Sequence, residues 1–461
     1  MHDMKVNPNK ISYNAAISAC EKGGQWQLAM SLLGSMPGIR VIPDEISCSA
    51  AISACEKGGQ WQLALSLLSS MFDMRVIPDK ISYSAAISAC AKGGQWQQAL
   101  GLLSCMPDMK VIPNEISYNA AISACAKRGQ WQMALSLLNS MPDVRANPNK
   151  ISCNAAISAC EKGGQWQLAL GLLSSMPDMK IIPDEISCSA AISACEKCGQ
   201  WQLALGLLSS MPEIMVIPDE ISYSAAISAC EKGGQWQLAL GLLSGMPDMR
   251  VIATEISYNA AISACAKGGQ WQEALSLLSS MPDMRVIPNE ISCNAAISAC
   301  EQGGRWQLAL GLLSSVFDTR MIPDEISHNA AISACAKGGY WLPALCLLSS
   351  MPDLRMIPDK FSYSAAISAC EKGWQWQLAL TLLGQMPELQ LSPNLPCFAS
   401  AISACVACSL WYEPFGLLSD MQRLGVEPDP STFSTLLTEC EQHGLLSTEH
   451  GLSLRLLSAG P

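Results

Sequence analysis

A phrase built on AAISAC, intact or in weaker echo, starts at Ile11, Ile46, Ile81, Ile116, Ile151, Ile186, Ile221, Ile256, Ile291, Ile326, Phe361, Pro396 and Ser431, and every step is 35 residues. A fixed period of this length confines the chain to a stack of like supersecondary units, because one such unit cannot bury its apolar face alone. No insertion interrupts the series, so no second domain fits between copies. The organisation expected is a short lead (1–9), twelve tandem repeats (10–429) and a partial thirteenth (430–461). That last piece, with Leu445, Leu446, Leu452, Leu456 and Leu457, reads as a C-terminal cap. Copying is close: residues 151–185 and 186–220 differ at six places, one of them Asn154, which becomes Ser189.

Each repeat is numbered from the residue before the Ile, so repeat 1 is Lys10 to Asp44. Tyr13, Ala16, Ile17 and Cys20 fall at i, i+3, i+4 and i+7, which is one face of an α-helix. Ser12 stands where an N-cap would, and Gly23-Gly24 is a stop signal. Trp26, Ala29, Met30, Leu33 and Met36 mark a second helix, with Leu28 and Leu32 as a second apolar flank; Pro37 and Pro43 close it. The spacing predicts a helix of about ten residues, a glycine turn and a helix of about twelve. The fold class expected is all-α: a solenoid of tandem two-helix repeats.

Composition narrows the rest. With 49% apolar and 15% charged residues the chain is too apolar for disorder. The Lys-Gly-Gly and proline punctuation breaks it well short of a membrane span. Of 22 cysteines, thirteen share one slot from Cys20 to Cys440, and Cys48, Cys153, Cys188 and Cys293 share another. On a helical apolar stripe these behave as small hydrophobes in a reducing compartment. Two Cys-x-x-Cys pairs, Cys195/Cys198 and Cys405/Cys408, are six repeats apart, so no metal site is expected. The four histidines, His2, His328, His443 and His450, have no metal or triad spacing, and no phosphate loop follows a strand. No catalytic role and no cofactor is expected.

The repeats resemble pentatricopeptide repeats. The likeness rests on the 35-residue period, the opening Ile-Ser-Tyr-Asn-Ala-Ala-Ile, the turn at Lys22-Gly-Gly, the Ala-Leu-x-Leu-Leu second helix with its Met, and the closing Pro-Asp. It runs from Lys10 to the end. Tetratricopeptide repeats have a 34-residue period and place their signature Trp in the first helix, whereas Trp26 opens the second. One slot departs: where the family carries Gly, four residues before the closing Asp, this chain has Arg40, Arg75, Lys110 or Met215, and only Gly425 conforms. A linker following a different path is therefore an expectation.

The resemblance implies a right-handed superhelix with the first helices on its concave face. It also implies binding of single-stranded RNA at about one nucleotide per repeat, each base read by the fifth and last residues, with the second packing on the base. Those pairs would be Asn14 with Asp44, Ser49 with Asp79, Ser84 with Asn114, Asn119 with Asn149, Asn154 with Asp184 and Ser189 with Asp219. They continue as Ser224 with Thr254, Asn259 with Asn289, Asn294 with Asp324, Asn329 with Asp359 and Ser364 with Asn394. Under the family's code the strand is 5′-U-G-A-Y-U-G-n-Y-U-U-A-3′. Ala399 leaves repeat 12 without a reading residue. A monomer is expected, with any cleavage or editing of the RNA done by a recruited RNA-processing protein. Family members act mostly in mitochondria or plastids, yet the opening MHDMKVNPN has no transit-peptide character.

The residues leave other readings open. Asn, Ser and Asp are also favoured as caps with no RNA present, and Glu21 alternates with Ala91 without touching the reading slots. A ladder of Lys22, Lys57, Lys92, Lys127, Lys162, Lys197, Lys232, Lys267, Lys337 and Lys372, broken only by Gln302, fits a phosphate backbone and fits the helix C-terminal dipole equally. A net charge of −11 runs against nucleic-acid binding and keeps a protein-interaction scaffold as the rival. A recently multiplied array with little ligand selectivity is a third possibility.

Overall fold

The computed structural model describes residues 9–318, 323–410 and 412–432, with 434, 436 and 438. The capping leucines from Leu445 onward and all but the last residue of the 1–9 lead lie outside them. The secondary structure is helical, with no strand among the described residues. Repeat 1 supplies Lys10–Lys22 and Trp26–Ser35, repeat 2 Glu45–Lys57 and Trp61–Asp73, and the alternation continues to Leu395–Ala407 and Glu413–Arg423 in repeat 12.

The first helices run 13 residues, 14 in repeat 10, not about ten, because their N-caps lie three residues earlier than the Ser12 slot. Asn9 caps repeat 1 and Asp44 caps repeat 2, both with extended backbone, and each side chain accepts the backbone N–H of the serine at the third helical position. Ser12 is that third residue. In repeat 2 the serine hydroxyl returns the bond, accepting the Asp44 N–H at 2.8 Å. This is a capping box with Ser in place of the usual Glu or Gln.

The chain forms two compact bodies, Met1–Gly233 and Gly234–Pro461. Within each, a first helix packs on the first helices of its neighbours, on its own second helix and on the second helix of the repeat before it. The stripe that carries this packing is the expected one: Ile17, Ala29 and Met36 are fully buried, and their counterparts Ile52, Ala64 and Met71 are too. The cysteine slot is sealed from Cys55 to Cys405, and burial pushes those thiols up to about 11. The second flank is only half as expected. Leu67 is buried, but the Leu28 slot stays open, with Leu203 at 40% exposure, because no helix covers that side.

Two local features set the spacing between repeats. Gly58 ends the first helix of repeat 2 with the Trp26 ring against it, and a Cβ there would lie 2.3 Å from Trp26 Cδ1. The same contact joins Trp61 to Gly93 and Trp236 to Gly268. The linker does not follow a different path where the family's glycine is missing. Arg40 (φ 58°), Lys110 (φ 60°) and Met215 (φ 61°) adopt the left-handed conformation of Gly425 (φ 70°). The bond beside them is also the same, Val41 N–H to Met36 O at 3.0 Å and Val426 N–H to Met421 O at 2.9 Å.

Candidate nucleic-acid interface

The fifth and last residues of a repeat, thirty positions apart, are brought into contact by the stacking of first helices. The last residue is also the N-cap of the next first helix, so its side chain is held before anything else arrives. In repeat 5, Asp184 Oδ1 accepts the Ser187 N–H at 3.0 Å and the Ser187 hydroxyl at 3.1 Å. Asn154 Nδ2 then donates to the same oxygen at 3.0 Å. Equivalent bonds join Asn14 to Asp44 (3.2 Å), Asn119 to Asn149 (3.2 Å), Asn259 to Asn289 (3.2 Å), Asn294 to Asp324 (3.1 Å) and Asn329 to Asp359 (3.2 Å).

This network fixes how each asparagine amide faces. A carboxylate only accepts, so the amide must present Nδ2 to it; Asn149 Oδ1 is turned inward by the Ser152 N–H at 3.1 Å and demands the same of Asn119. The amide oxygen is left over, except in Asn329, where it accepts the Ser362 hydroxyl at 2.6 Å. In Asn14, Asn119, Asn154 and Asn259 that oxygen is buried and has no hydrogen-bond partner. A buried acceptor without a donor is costly, and such groups in a folded protein ask for a reason.

Serine repeats behave differently. Ser189 Oγ lies 2.5 Å from the Glu185 carbonyl and 3.1 Å from Asp219 Oδ1, and Ser49 stands 2.5 Å from the Glu45 carbonyl and 3.2 Å from Asp79. The shorter side chain folds back on its own helix and leaves space where an amide would be. Ser84 reaches Asn114 at 3.3 Å. Ser224 bonds its own helix at the Glu220 carbonyl (2.6 Å), and Thr254 caps with Ser257. Asn394 caps through the Cys397 N–H.

The second slot is the apolar companion. Ile11, Ile46, Ile151 and Phe361 are 76%, 61%, 61% and 61% exposed, large side chains left in solvent at the same place in each repeat. In the C-terminal body one open groove of about 820 Å³ gathers the three kinds of slot, with Ile326 and Phe361 beside Asn329, Asp359 and Ser364, and Lys337 and Lys372 along its edge.

Two grips on the last slot were not legible beforehand. One is the third-position serine. The other is a lysine opening some repeats: Lys10 Nζ lies 2.8 Å from Asp44 and Lys150 Nζ 3.6 Å from Asp184. Burial works to raise the Asp44 pKa, but Lys10, the Ser47 N–H, Asn14 and the Ser47 hydroxyl together outweigh it and hold the carboxyl at about 2. Asp184 is lowered by the same balance: burial opposes, while the Ser187 N–H, Asn154, the Ser187 hydroxyl and Lys150 prevail. Both carboxylates are therefore ionised acceptors at neutral pH. The only earlier signal was a basic residue exactly one period from others that are glutamate.

The lysine ladder lines the ends of the first helices, but much of its charge is matched. Lys57 pairs with Glu21 (3.1 Å), Lys92 with Glu56 (3.0 Å), Lys197 with Glu161 (2.7 Å), Lys232 with Glu196 (2.7 Å) and Lys337 with Glu301 (3.1 Å).

Family models match most of the chain. The PPR repeat matches at 11–41, 46–76, 81–111, 151–181, 186–215, 221–251, 326–356 and 361–391, and the PPR repeat family at 113–160 and 253–302. No curated protein matches. Among solved structures, the chain is similar to the pentatricopeptide repeat protein PPR10 from maize, with 18% identity over 98% of this chain and 80% of that one and a TM-score of 0.54. The likeness is one of fold. PPR10 in complex with an 18-nt psaJ RNA element gives 18% identity, 98% and 79% coverage and a TM-score of 0.47. Yeast Rmd9p in complex with a 16-nt target RNA gives 11%, 96% and 92%, and 0.38.

Proposed function

The chain belongs to the pentatricopeptide repeat family, and on that premise we propose that it binds single-stranded RNA, one base per repeat, through the fifth and last side chains. The observation that carries this reading is the orphaned amide oxygen of Asn14, Asn119, Asn154 and Asn259. A pyrimidine such as uracil has an N–H on its pairing edge, and that donor would satisfy this acceptor, buried in the free protein, once the side chain turns outward to meet the base. The serine repeats offer room for a purine instead. The exposed apolar residue at the second slot supplies a surface on which the base face packs.

In this reading the protein selects a strand as a monomer and leaves any chemistry on it to a recruited RNA-processing protein. The test is a titration against UGACUGACUUA and a base-shuffled strand of equal length. Tighter binding to the first, shifted towards purine at the fifth base by Asn154→Ser, supports the reading. Equal binding to both strands refutes base selection. No binding to either, in line with the net charge of −11, refutes RNA binding and turns the search to a protein partner for the array.

A further inference from the structure

Base reading leaves the twelfth slot unexplained. It alternates between glutamate and a small apolar residue: Glu21, Glu56, Ala91, Ala126, Glu161 and Glu196 in the first six repeats, Glu301 and Ala336 in repeats 9 and 10. The glutamate faces forward. In each of the five ion pairs named above it reaches the lysine of the following repeat, at 2.7 to 3.1 Å. Where the preceding repeat has alanine, the lysine finds no carboxylate. Lys127 follows Ala91 and meets only the Lys92 carbonyl at 3.1 Å; Lys372 follows Ala336 and meets only the Lys337 carbonyl at 3.5 Å. Lys162 follows Ala126 and has no ion pair among the described residues.

Stability does not account for the glutamates. The lysines are 37–47% exposed, and exposed pairs of this kind contribute little to folding. Their effect on a polyanion is larger. A lysine that touches a carboxylate offers a phosphate little attraction, because the same carboxylate repels it, whereas an unmatched lysine releases a counterion on contact.

We infer that the twelfth residue gates the lysine of the next repeat, glutamate withdrawing it from the RNA backbone and alanine releasing it. This rests on the RNA reading and adds to it where along the strand the protein grips. The grip centres on Lys127 and Lys162 in adjacent repeats, reinforced by Arg128, whose Nε bonds only the Gly94 carbonyl at 3.3 Å. Lys372, after Ala336, is an outlying point. The acidic array thereby keeps a cationic stretch over repeats 4 and 5 while its net charge stays at −11.

The experiment measures affinity of the full chain for UGACUGACUUA across a salt series. Ala91→Glu with Ala126→Glu gates Lys127 and Lys162, and the slope of log affinity against log salt flattens by about 1.4, at about 0.7 per phosphate contact on a single strand. Glu161→Ala with Glu196→Ala frees Lys197 and Lys232 and steepens it by about 1.4, a reciprocal readout that stands even where the first pair fails to fold. Gln97→Glu with Gln132→Glu, on exposed faces of second helices, adds the same charge as the first pair and leaves the slope near the parent value. Equal flattening by the control assigns the effect to net charge and overturns the gate, as do unchanged slopes in both gate variants. A parent that binds no RNA removes the reading beneath it, an outcome seen without any variant.

Discussion

Asp184→Ala and Asp184→Asn, set side by side, test whether the last slot both caps the next helix and holds the fifth residue of its own repeat. Asp184 Oδ1 receives the Ser187 N–H, the Ser187 hydroxyl and Asn154 Nδ2. Alanine removes the acceptor. Loss of an N-cap costs about 1 kcal/mol, and leaving the buried Asn154 amide without its acceptor adds about 1–3 kcal/mol. The helix Glu185–Lys197 is thus destabilised by about 2–4 kcal/mol. Asparagine keeps the acceptor, as Asn149 does with the Ser152 N–H at 3.1 Å and Asn119 at 3.2 Å. It forfeits only the attraction of half-exposed Lys150, so its cost stays below about 0.5 kcal/mol. Long arrays do not unfold all-or-none, so the assay is hydrogen exchange at the amides of Ser187 and Cys188, with urea unfolding alongside. The double variant Asn154→Ala, Asp184→Ala should cost less than the sum of the singles by about 1 kcal/mol. Equal protection in the Ala and Asn variants, or strict additivity, refutes the reasoning.

The left-handed linker slot makes a second prediction: Arg145→Gly and Arg285→Gly, at φ 59° and 61°, each raise stability by up to about 1 kcal/mol, read as a higher urea midpoint. On the acid side, Asp44 is held at about 2 against an ordinary 3.8, so its contribution is complete above pH 3.8 and is lost as pH falls towards 2; Asp44→Asn flattens that part of an acid titration followed by circular dichroism. On the alkaline side the sign reverses. The thiols from Cys55 to Cys405 are raised from 9.0 to about 11, so stability they allow is intact below pH 9 and falls as pH climbs towards 11, where alkylation of Cys90 and Cys160 should track unfolding while exposed Cys105 and Cys346 react at once.

Much of the fold was legible because it is written in one-dimensional spacing. Ile17, Cys20, Ala29 and Met36 recur at helical intervals and are buried as that spacing demands. The N-cap was misplaced at Ser12 because Asn9 and Ser12, three apart, are both good capping residues, and only backbone geometry shows which is extended. The open Leu28 slot was misread because amphipathicity tells which residues are apolar, not whether a neighbour arrives to cover them. In the candidate site, the slots themselves followed from family likeness. What holds them did not: Asn154 meets Asp184 across 30 positions, and Glu161 meets Lys197 across 36. A period of 35 does not announce a contact at 36. The alternation of Glu21 with Ala91 was the visible trace of it, without a partner to explain it.

The pairing of fifth and last residues across 30 positions has a consequence for how such an array changes by recombination. Any exchange between misaligned copies that removes or inserts 35 residues preserves that separation everywhere, so the fifth and last residues still face each other at every junction. A breakpoint inside the interval joins the fifth residue of one copy to the last residue of another, and a novel side-chain pair arises from two old ones with no point mutation. Near-identity of the copies, as between residues 151–185 and 186–220, is what makes misalignment frequent. The grammar survives while the message is rewritten.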